Sequence, residues 1–314
     1  MAPTILILGG TGNTGPGVVE TLAGFLDKGD VLKDHRIIAL TRSANGAVAQ
    51  KFAKLPGVEV IEKNWTEVTA DWLREHEVVK AFIASVPQVS QFIDESTFLV
   101  AALQAAVKYV VRISTFAPNV RPDAYPFYAR AHWAIEALLS SPEFERLQWT
   151  SLQPNGFSTL TLQGPAQFIK EYRRTGKQGT LRLFNSADAP TGIIDPYEIG
   201  VLAARLLALQ DPTPHNKGKY IISGPEDATG NSIVQLVEKH IGAKLENVIF
   251  KDLSFVDAFA DNSPDPKHIV LTIKKAAERQ WLGEGPASTT SKVVLELAAP
   301  KNTPADVLKR LLEG

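Results

Sequence analysis

The chain begins with a glycine-rich loop between a short β-rich run and a helical pattern. Residues 4–8 are mostly apolar, and Gly9-Gly-Thr-Gly-Asn-Thr-Gly15 follows directly. A strand that runs through Gly-x-Gly-x-x-Gly into a helix is the pattern of a dinucleotide-binding βαβ unit. The glycines allow a tight turn and a close backbone approach to a pyrophosphate, and the helix N-terminus offers free N–H groups. The sequence therefore predicts a dinucleotide site formed by Gly10, Thr11, Gly12, Asn13, Thr14 and Gly15.

Short β-rich runs alternate with helical patterns through the first half of the chain. Strands are predicted at 4–8, 36–41, 58–61, 81–86, 109–114 and 149–153, and helices at 17–27, 47–54, 72–76, 89–107 and 125–140. This alternation favours a parallel sheet with helices on both faces. We predict an α/β fold, with a Rossmann-type doubly wound sheet in a domain at 1–155. A smaller, mixed α+β substrate-binding part at 156–314 would pack on it, with the chain crossing back to the sheet.

That second part combines helical and β-rich patterns without a clear linker. Helices are predicted near 166–174, 196–209, 231–241, 267–282 and 304–312, and strands near 181–184, 219–223 and 247–251.

Composition excludes several classes of protein. Of 314 residues, 44% are apolar, and 33 Lys and Arg balance 34 Asp and Glu, for a formal charge of −1. A disordered chain, a nucleic-acid binder and a polybasic membrane-surface protein are all disfavoured. The absence of cysteine removes disulfides and thiolate metal sites, and no apolar run is long enough to span a bilayer. We expect a cytoplasmic monomer or homodimer that acts on a small molecule, with no nucleic-acid or membrane partner and no metal.

The end of the second predicted strand indicates which dinucleotide is bound. A cofactor without a 2′-phosphate is usually recognised there by a carboxylate, but this strand ends in Thr41-Arg42-Ser43. A guanidinium matches a phosphate bidentately, and Ser43 adds a hydroxyl. The alternative is a solvated arginine in a loop. We predict that Arg42 and Ser43 hold the 2′-phosphate of NADPH or NADP⁺.

Four stretches together resemble a known family. They are the glycine loop, the Thr41–Ser43 strand end, the run from His132 to Phe157, and Ile193-Ile-Asp-Pro-Tyr-Glu-Ile-Gly200. The chain resembles the NmrA-like, or isoflavone-reductase-like, atypical short-chain dehydrogenases/reductases. The resemblance implies a Rossmann domain, a preference for NADP, and either reductase activity, in some fungal relatives within secondary metabolism, or a regulatory role without chemistry.

The resemblance also implies a reacting centre on the helix after the fifth strand. The wider superfamily has Tyr-x-x-x-Lys there, and this chain has Tyr128 and His132 in those places. Tyr128 would protonate the acceptor, with Tyr125 as a rival, and His132 would contact the ribose or substrate. Ser114 ends the fifth strand, where the superfamily has its serine. The alternative is that Tyr128 and His132 are a packed helix pair.

Further cofactor contacts are expected wherever predicted strands end. Ser85 and Val86 end the predicted fourth strand and would contact the nicotinamide ribose and diphosphate through their backbone. Asn64 would face the adenine, and Thr115, Asn155 and Phe157 would lie near the nicotinamide. Asp195, which precedes Pro196 and a helical pattern, is expected to be a helix cap rather than a catalytic carboxylate.

The sequence thus predicts an NADPH-dependent reductase of a small conjugated, aromatic, imine or carbonyl acceptor. Two alternatives stay open. One is an NADP(H)-binding redox sensor of NmrA type that acts through a protein partner. The other is an isomerase or epimerase that retains its cofactor.

Overall fold

Runs of apolar, β-branched residues form a central parallel sheet in the computed structural model, which describes residues 2–29 and 32–314. The strands are β1 (Thr4–Leu8), β2 (Arg36–Thr41), β3 (Val58–Glu62), β4 (Val78–Ile83), β5 (Tyr109–Ile113), β6 (Gln148–Pro154), β7 (Leu181–Arg182), β8 (Gly218–Ile222) and β9 (Val248–Ile249). Within the described residues, seven of them pair in parallel in the order β3-β2-β1-β4-β5-β6-β8. The predicted Rossmann-type α/β class is confirmed.

The strand order reverses beside β1. From β1 the chain first moves outward to β2 and β3, and then returns to β4 on the other side. In open α/β sheets, ligands bind outside the carboxyl ends of the strands at such a switch point. The topology therefore predicts a ligand site at the carboxyl ends of β1 and β4.

Helices cover both faces of the sheet and build the second part of the chain. They are α1 (Gly15–Lys28), α2 (Ala47–Phe52), α3 (Ala70–Glu75), α4 (Gln91–Gln104), α5 (Phe127–Leu139), α6 (Ser158–Thr175), α7 (Pro196–Ala208), α8 (Gly230–Ile241), α9 (Ser254–Asn262), α10 (Lys267–Val270), α11 (Ala277–Trp281), α12 (Lys292–Ala298) and α13 (Pro304–Glu313). Among the described residues, no helix combines the length and apolar character needed to cross a bilayer.

Alternate residues of each strand point into two separate cores. Ile5 and Ile7 of β1 lie in the core under α1 and α7, whereas Leu6 and Leu8 lie in the core under α4 and α5. Because a strand's side chains alternate between the two faces, a continuous apolar run is needed to fill both cores. That requirement explains why the strands are uniformly apolar.

Close packing of α7 against α1 joins the second part of the chain to the glycine loop. A Cβ on Gly17 would lie 2.1 Å from the carbonyl oxygen of Tyr197, and a Cβ on Gly200 would lie 2.3 Å from that of Thr14. Only glycine fits at both positions. Together with β8, α7 is where the chain returns to the sheet after residue 155.

The rest of the second part has its own small core and a segment that crosses the sheet. Helices α6, α8 and α13 bury a third apolar cluster. Residues 254–282, here called the strap, contain α9, α10, a 3₁₀ turn and α11. The strap contacts the loops at the carboxyl ends of β4, β5 and β6. It therefore covers the edge at which the site lies.

Candidate functional site

The glycine loop turns sharply at the end of β1 and leads into α1. Gly9 has a φ of +78°, and the N–H of Gly12 donates to the Gly9 carbonyl oxygen at 3.0 Å. A Cβ on Gly15 would lie 2.0 Å from the Gly10 oxygen, so glycine is required where the helix begins against the loop. Thr11, Gly12 and Asn13 are exposed. The loop thus presents open backbone beside the first turn of α1.

Arg42 projects from a braced loop at the end of β2. The Thr41 hydroxyl donates to the Ser43 carbonyl at 3.1 Å and lies 3.2 Å from the Ser43 N–H, and Ala44 N–H donates to Glu62 at 2.8 Å. Arg42 is exposed, and within residues 2–29 and 32–314 no hydrogen-bond or ion-pair partner meets its guanidinium. The loop is held, and its cation is free to bind an anion.

Asn64 lies at the end of β3 and caps a short turn. Its Oδ1 accepts from the Thr66 N–H at 3.2 Å, and its Nδ2 lies 3.4 Å from Glu67. The side chain is exposed. Contact with an adenine stays a prediction.

The end of β4 meets the glycine loop. A Cβ on Gly9 would lie 2.6 Å from the carbonyl oxygen of Ala84, so the backbone of Ser85 and Val86 begins beside that loop. The Ser85 hydroxyl turns away and donates to Glu95 at 2.9 Å. Contact of the Ser85 and Val86 backbone with the cofactor stays a prediction.

Hydroxyl groups gather at the end of β5. Ser114 is 5% exposed, and among the described residues nothing partners its Oγ. Tyr128, the second residue of α5, is half-buried near Thr115. Burial raises the pKa of Tyr128, and a hydrogen bond with Thr115 opposes that shift. Tyr128 is therefore a neutral phenol near pH 7. Its rival Tyr125 is 64% exposed on the preceding loop.

His132 turns into the protein. Arg112 donates to its Nδ1 at 2.8 Å, and the Gln91 amide lies 3.1 Å from its Nε2. Arginine is always a donor, so the ring's proton is on Nε2. The Gln91 oxygen has no partner among the described residues. Exchanging the oxygen and nitrogen of this amide places that oxygen against the Nε2 proton of His132, which it can accept. Burial, and next the Arg112 charge, hold the pKa of His132 well below 6.5.

His132 belongs to a buried ionic network that the sequence analysis missed. Arg112 and Glu95 are both fully buried, with Nε 2.5 Å from Oε1, and Arg112 Nη1 lies 3.7 Å from Glu136. Burial tends to raise the pKa of Glu136, but Arg112 and the Ser151 hydroxyl outweigh it and the pKa falls. The sequence signal for this network was Arg112, a charged residue within the otherwise apolar strand Tyr-Val-Val-Arg-Ile. The network favours the packed-pair alternative for His132, and its contact with a ribose or substrate stays a prediction.

Asn155 and Phe157 link β6 to the second part of the chain. The Asn155 Nδ2 donates to the Gly285 carbonyl at 2.6 Å, and its Oδ1 accepts from Gln280 at 2.8 Å. With the amide so engaged, Asn155 braces the end of the strap. Phe157 is half-buried and bridges to Ile194. The predicted cofactor contacts of both residues stay predictions.

Asp195 is a helix cap. Its carboxylate accepts from the Tyr197 N–H at 3.1 Å at the start of α7, which confirms the predicted role. Among the described residues, no His, Asp and Glu cluster has the geometry of a metal site.

Comparison with known proteins identifies a family and a sequence relative. The family model described as "NmrA-like family" matches residues 1–279. The chain is 28% identical over 297 residues to phenylcoumaran benzylic ether reductase Betv6 of Betula pendula, covering 86% of this chain and 84% of that protein.

Two solved structures share the fold. The NADPH-dependent quinone oxidoreductase QOR2 of Escherichia coli, complexed with NADPH, has a TM-score of 0.72 at 20% identity, covering 98% of this chain and 99% of that one. NmrA, a negative transcriptional regulator in complex with NADP, has a TM-score of 0.64 at 12% identity, covering 100% and 92%. Because the family model spans most of the sequence, including the motifs that carried the resemblance, the chain belongs to the NmrA-like family.

Proposed function

We propose that this chain is an NADPH-dependent reductase that transfers hydride to a small conjugated, aromatic, imine or carbonyl acceptor. The observation that carries the proposal is the exposed guanidinium of Arg42, which has no partner among the described residues. A braced loop holds it at the end of β2, at the sheet edge where the open glycine loop lies. The reductases among its relatives support the choice of reaction class.

The residues present fit the cofactor. The Gly9–Gly15 loop leaves room for a pyrophosphate where a Cβ would intrude, and the α1 N-terminus supplies N–H donors. The Arg42 fork would hold the 2′-phosphate, with Ser43 adding a hydroxyl. The order of these groups along the sheet edge, with Arg42 at β2 and Ser114 at β5, would direct the nicotinamide toward Tyr128.

The chain's own groups would orient the acceptor and supply its proton. When bound, NADPH supplies a hydride from C4 of its nicotinamide. The Ser114 hydroxyl, buried and unpartnered among the described residues, is free to hold an acceptor oxygen or nitrogen. Tyr128 is protonated near pH 7, as any phenol is, and burial raises its pKa further. It would donate that proton as charge develops on the acceptor. The strap and Phe116, which is 7% exposed, would limit water at that edge.

Deuteride transfer tests the proposal. Purified protein is incubated with NADPH deuterated at either face of C4 and a panel of quinones, enones, cyclic imines and polyhydroxyaromatics. We expect label in the product of one acceptor class, and a loss of at least 10-fold in rate for Tyr128→Phe. Tyr125→Phe is the matched control and should retain the rate. Absence of label from every acceptor, with NADPH binding confirmed, would overturn the reductase proposal.

A regulator that binds NADP(H) is the second candidate, because apolar side chains are exposed beside the site. Val86, Val89 and Ile93 are 54%, 44% and 63% exposed on the β4–α4 loop and the first turn of α4, where a protein partner could dock. His132, which packs inward in the place of the superfamily's lysine, agrees with such a role. A protein that binds NADPH tightly but labels no product would favour it, whereas one that purifies with nucleotide and consumes none would favour an isomerase.

A further inference from the structure

The first turn of α5, which carries Tyr128, begins without a cap from its own sequence. An α-helix leaves its first four N–H groups without intrahelical partners, and side chains at the preceding position usually accept one of them. Here that position is Pro126, whose side chain has no polar atom. The N–H of Phe127 therefore needs an acceptor from elsewhere.

The strap supplies that acceptor across 145 residues of sequence. Thr272 Oγ1 lies 3.2 Å from the Phe127 nitrogen and is placed to accept its proton. The same hydroxyl donates its own proton to the Ile269 carbonyl at 2.6 Å. Because the hydroxyl proton is committed to Ile269, a lone pair of Oγ1 is directed to α5.

Two further contacts fix the strap on either side of the site. Asn119, on the loop between β5 and α5, donates to the Ala276 carbonyl at 3.0 Å. Asp265 accepts from the Val89 N–H at 3.1 Å on the loop after β4. The loop that delivers Tyr128 is thus held at Asn119 and again at Phe127 by two positions of the strap four residues apart.

We propose that Thr272 is a positioning residue, which caps α5 from the strap and so makes the placement of Tyr128 depend on a docked strap. The catalytic consequence rests on the proposed reductase function. Tyr128 directly follows the capped residue, and fraying of this turn would move its hydroxyl away from Thr115 and into water. The acceptor would then meet its proton donor when the strap is closed over the sheet edge.

The experiment compares three variants of the full chain. Thr272→Val keeps the shape but removes the acceptor, Thr272→Ser retains it, and Ser254→Ala removes another strap hydroxyl, which bonds Asp252 instead. Amide exchange over residues 125–132 should rise about 5-fold in Thr272→Val, the usual effect of losing a cap. Amide exchange over these residues should stay near the wild-type rate in Thr272→Ser and Ser254→Ala.

Titration of the Tyr128 phenol gives a second readout that needs no turnover. Absorbance of the phenolate is recorded against pH, with Tyr128→Phe in each background as the blank. The pKa of Tyr128 should fall toward its ordinary value in Thr272→Val and stay raised in Thr272→Ser. In the deuteride assay, kcat should fall about 5-fold or more in Thr272→Val, while KM for NADPH stays within about 2-fold.

Each result decides the proposal. Unchanged exchange in α5, or an unchanged phenol titration, would overturn it whatever the turnover. Faster exchange with undiminished kcat would overturn the positioning role in catalysis. If the wild type transfers no deuteride, the proposed function fails by itself, and exchange with phenol titration still confirms or overturns the dependence of Tyr128 on Thr272.

Discussion

At the scale of single residues, the candidate site contains two nitrogen-containing side chains, Arg42 and His132, in opposite environments. Arg42 is exposed at a strand end, whereas His132 is 6% exposed and has the Arg112 guanidinium against Nδ1. A free cation in solvent binds anions at little desolvation cost, whereas a buried imidazole beside a cation is held neutral. We therefore predict that Arg42 binds the cofactor phosphate and that His132 supports the structure.

Replacing Arg42 should change cofactor selectivity. Arg42→Ala should weaken NADPH binding about 10- to 100-fold, because charge-assisted hydrogen bonds contribute about 1.5–3 kcal/mol, and should leave NADH binding within about 2-fold. Arg42→Lys should give an intermediate loss, since it keeps the charge but not the fork. Calorimetric titration measures the affinities for both nucleotides. An equal loss of affinity for NADPH and NADH would contradict the predicted role of Arg42.

His132 should make stability depend on pH below neutrality. The unfolded ring takes up a proton near pH 6.5. Burial and Arg112 hold the pKa of the native ring well below 6.5, so the native ring takes up its proton only at a lower pH. The contribution of the neutral His132 ring to the free energy of unfolding is therefore complete above pH 6.5 and is lost as the pH falls toward the native pKa. His132→Gln keeps an acceptor for Arg112 but does not titrate.

Urea unfolding between pH 7 and 5 measures this difference. The free energy of unfolding of the wild type should fall with decreasing pH more steeply than that of His132→Gln, by up to about 1.4 kcal/mol per pH unit. The other histidines titrate in both proteins and cancel. Parallel curves would contradict this, because they would show that the native His132 ring takes up its proton at the same pH as the unfolded ring.

At the scale of elements, the glycines of α1 differ in what surrounds them. A Cβ on Gly17 would meet the Tyr197 carbonyl oxygen at 2.1 Å, but a Cβ on Gly24, in the same helix, would meet no described atom within 4 Å. The first glycine is required by the contact of α1 with α7. The second is an open helix position, where alanine is preferred.

Alanine at these two positions should therefore have opposite effects. Gly17→Ala should lower the free energy of unfolding by about 1–3 kcal/mol or more, because α7 must move. Gly24→Ala should raise it by about 0.5–1 kcal/mol. Urea denaturation of the two variants beside the wild type provides the measurement, and equal stability of the pair would argue against close packing of the two helices.

Local sequence predicted most elements, and tertiary context explains the rest. Strands buried on both faces are recognisable as apolar runs. Helix α6 was predicted from residue 166 but begins at Ser158, since it accommodates Pro165 inside the helix. Helices α9 and α12 were missed, and the predicted helix at 267–282 is α10, a 3₁₀ turn and α11. These short helices depend on packing across the sheet edge.

The candidate site also divides into residues that local sequence predicts and residues that depend on tertiary contacts. The glycine loop and the Arg42 strand end are local patterns, so spacing alone predicted them. The partners of His132 come from α4 and β5, and the Asn155 amide is engaged 125 and 130 residues away. No spacing rule joins positions so distant in the chain.

At the scale of the whole molecule, the boundary suggested near residue 155 passes through a shared core. The core under α1 contains Ile5 and Val18 from before that point and Ile199, Leu206 and Ile222 from after it. The predicted cofactor-binding part is therefore completed by segments that follow residue 155, and we expect the chain to unfold as one cooperative unit.

A fragment that ends at residue 155 should not form a native domain. It lacks α7 and β8, so Gly17 and the apolar side chains of β4 and β5 on that face would be exposed, and the edge of β6 would be unpaired. We expect the fragment to bind a hydrophobic dye, to unfold without a sharp transition and to bind NADPH at least 100-fold more weakly than the full chain. Adding the separate fragment 156–314 should restore binding in part if the shared core reassembles. Cooperative unfolding of 1–155 with native NADPH affinity would instead show that this part is an independent domain and that α7 merely covers it.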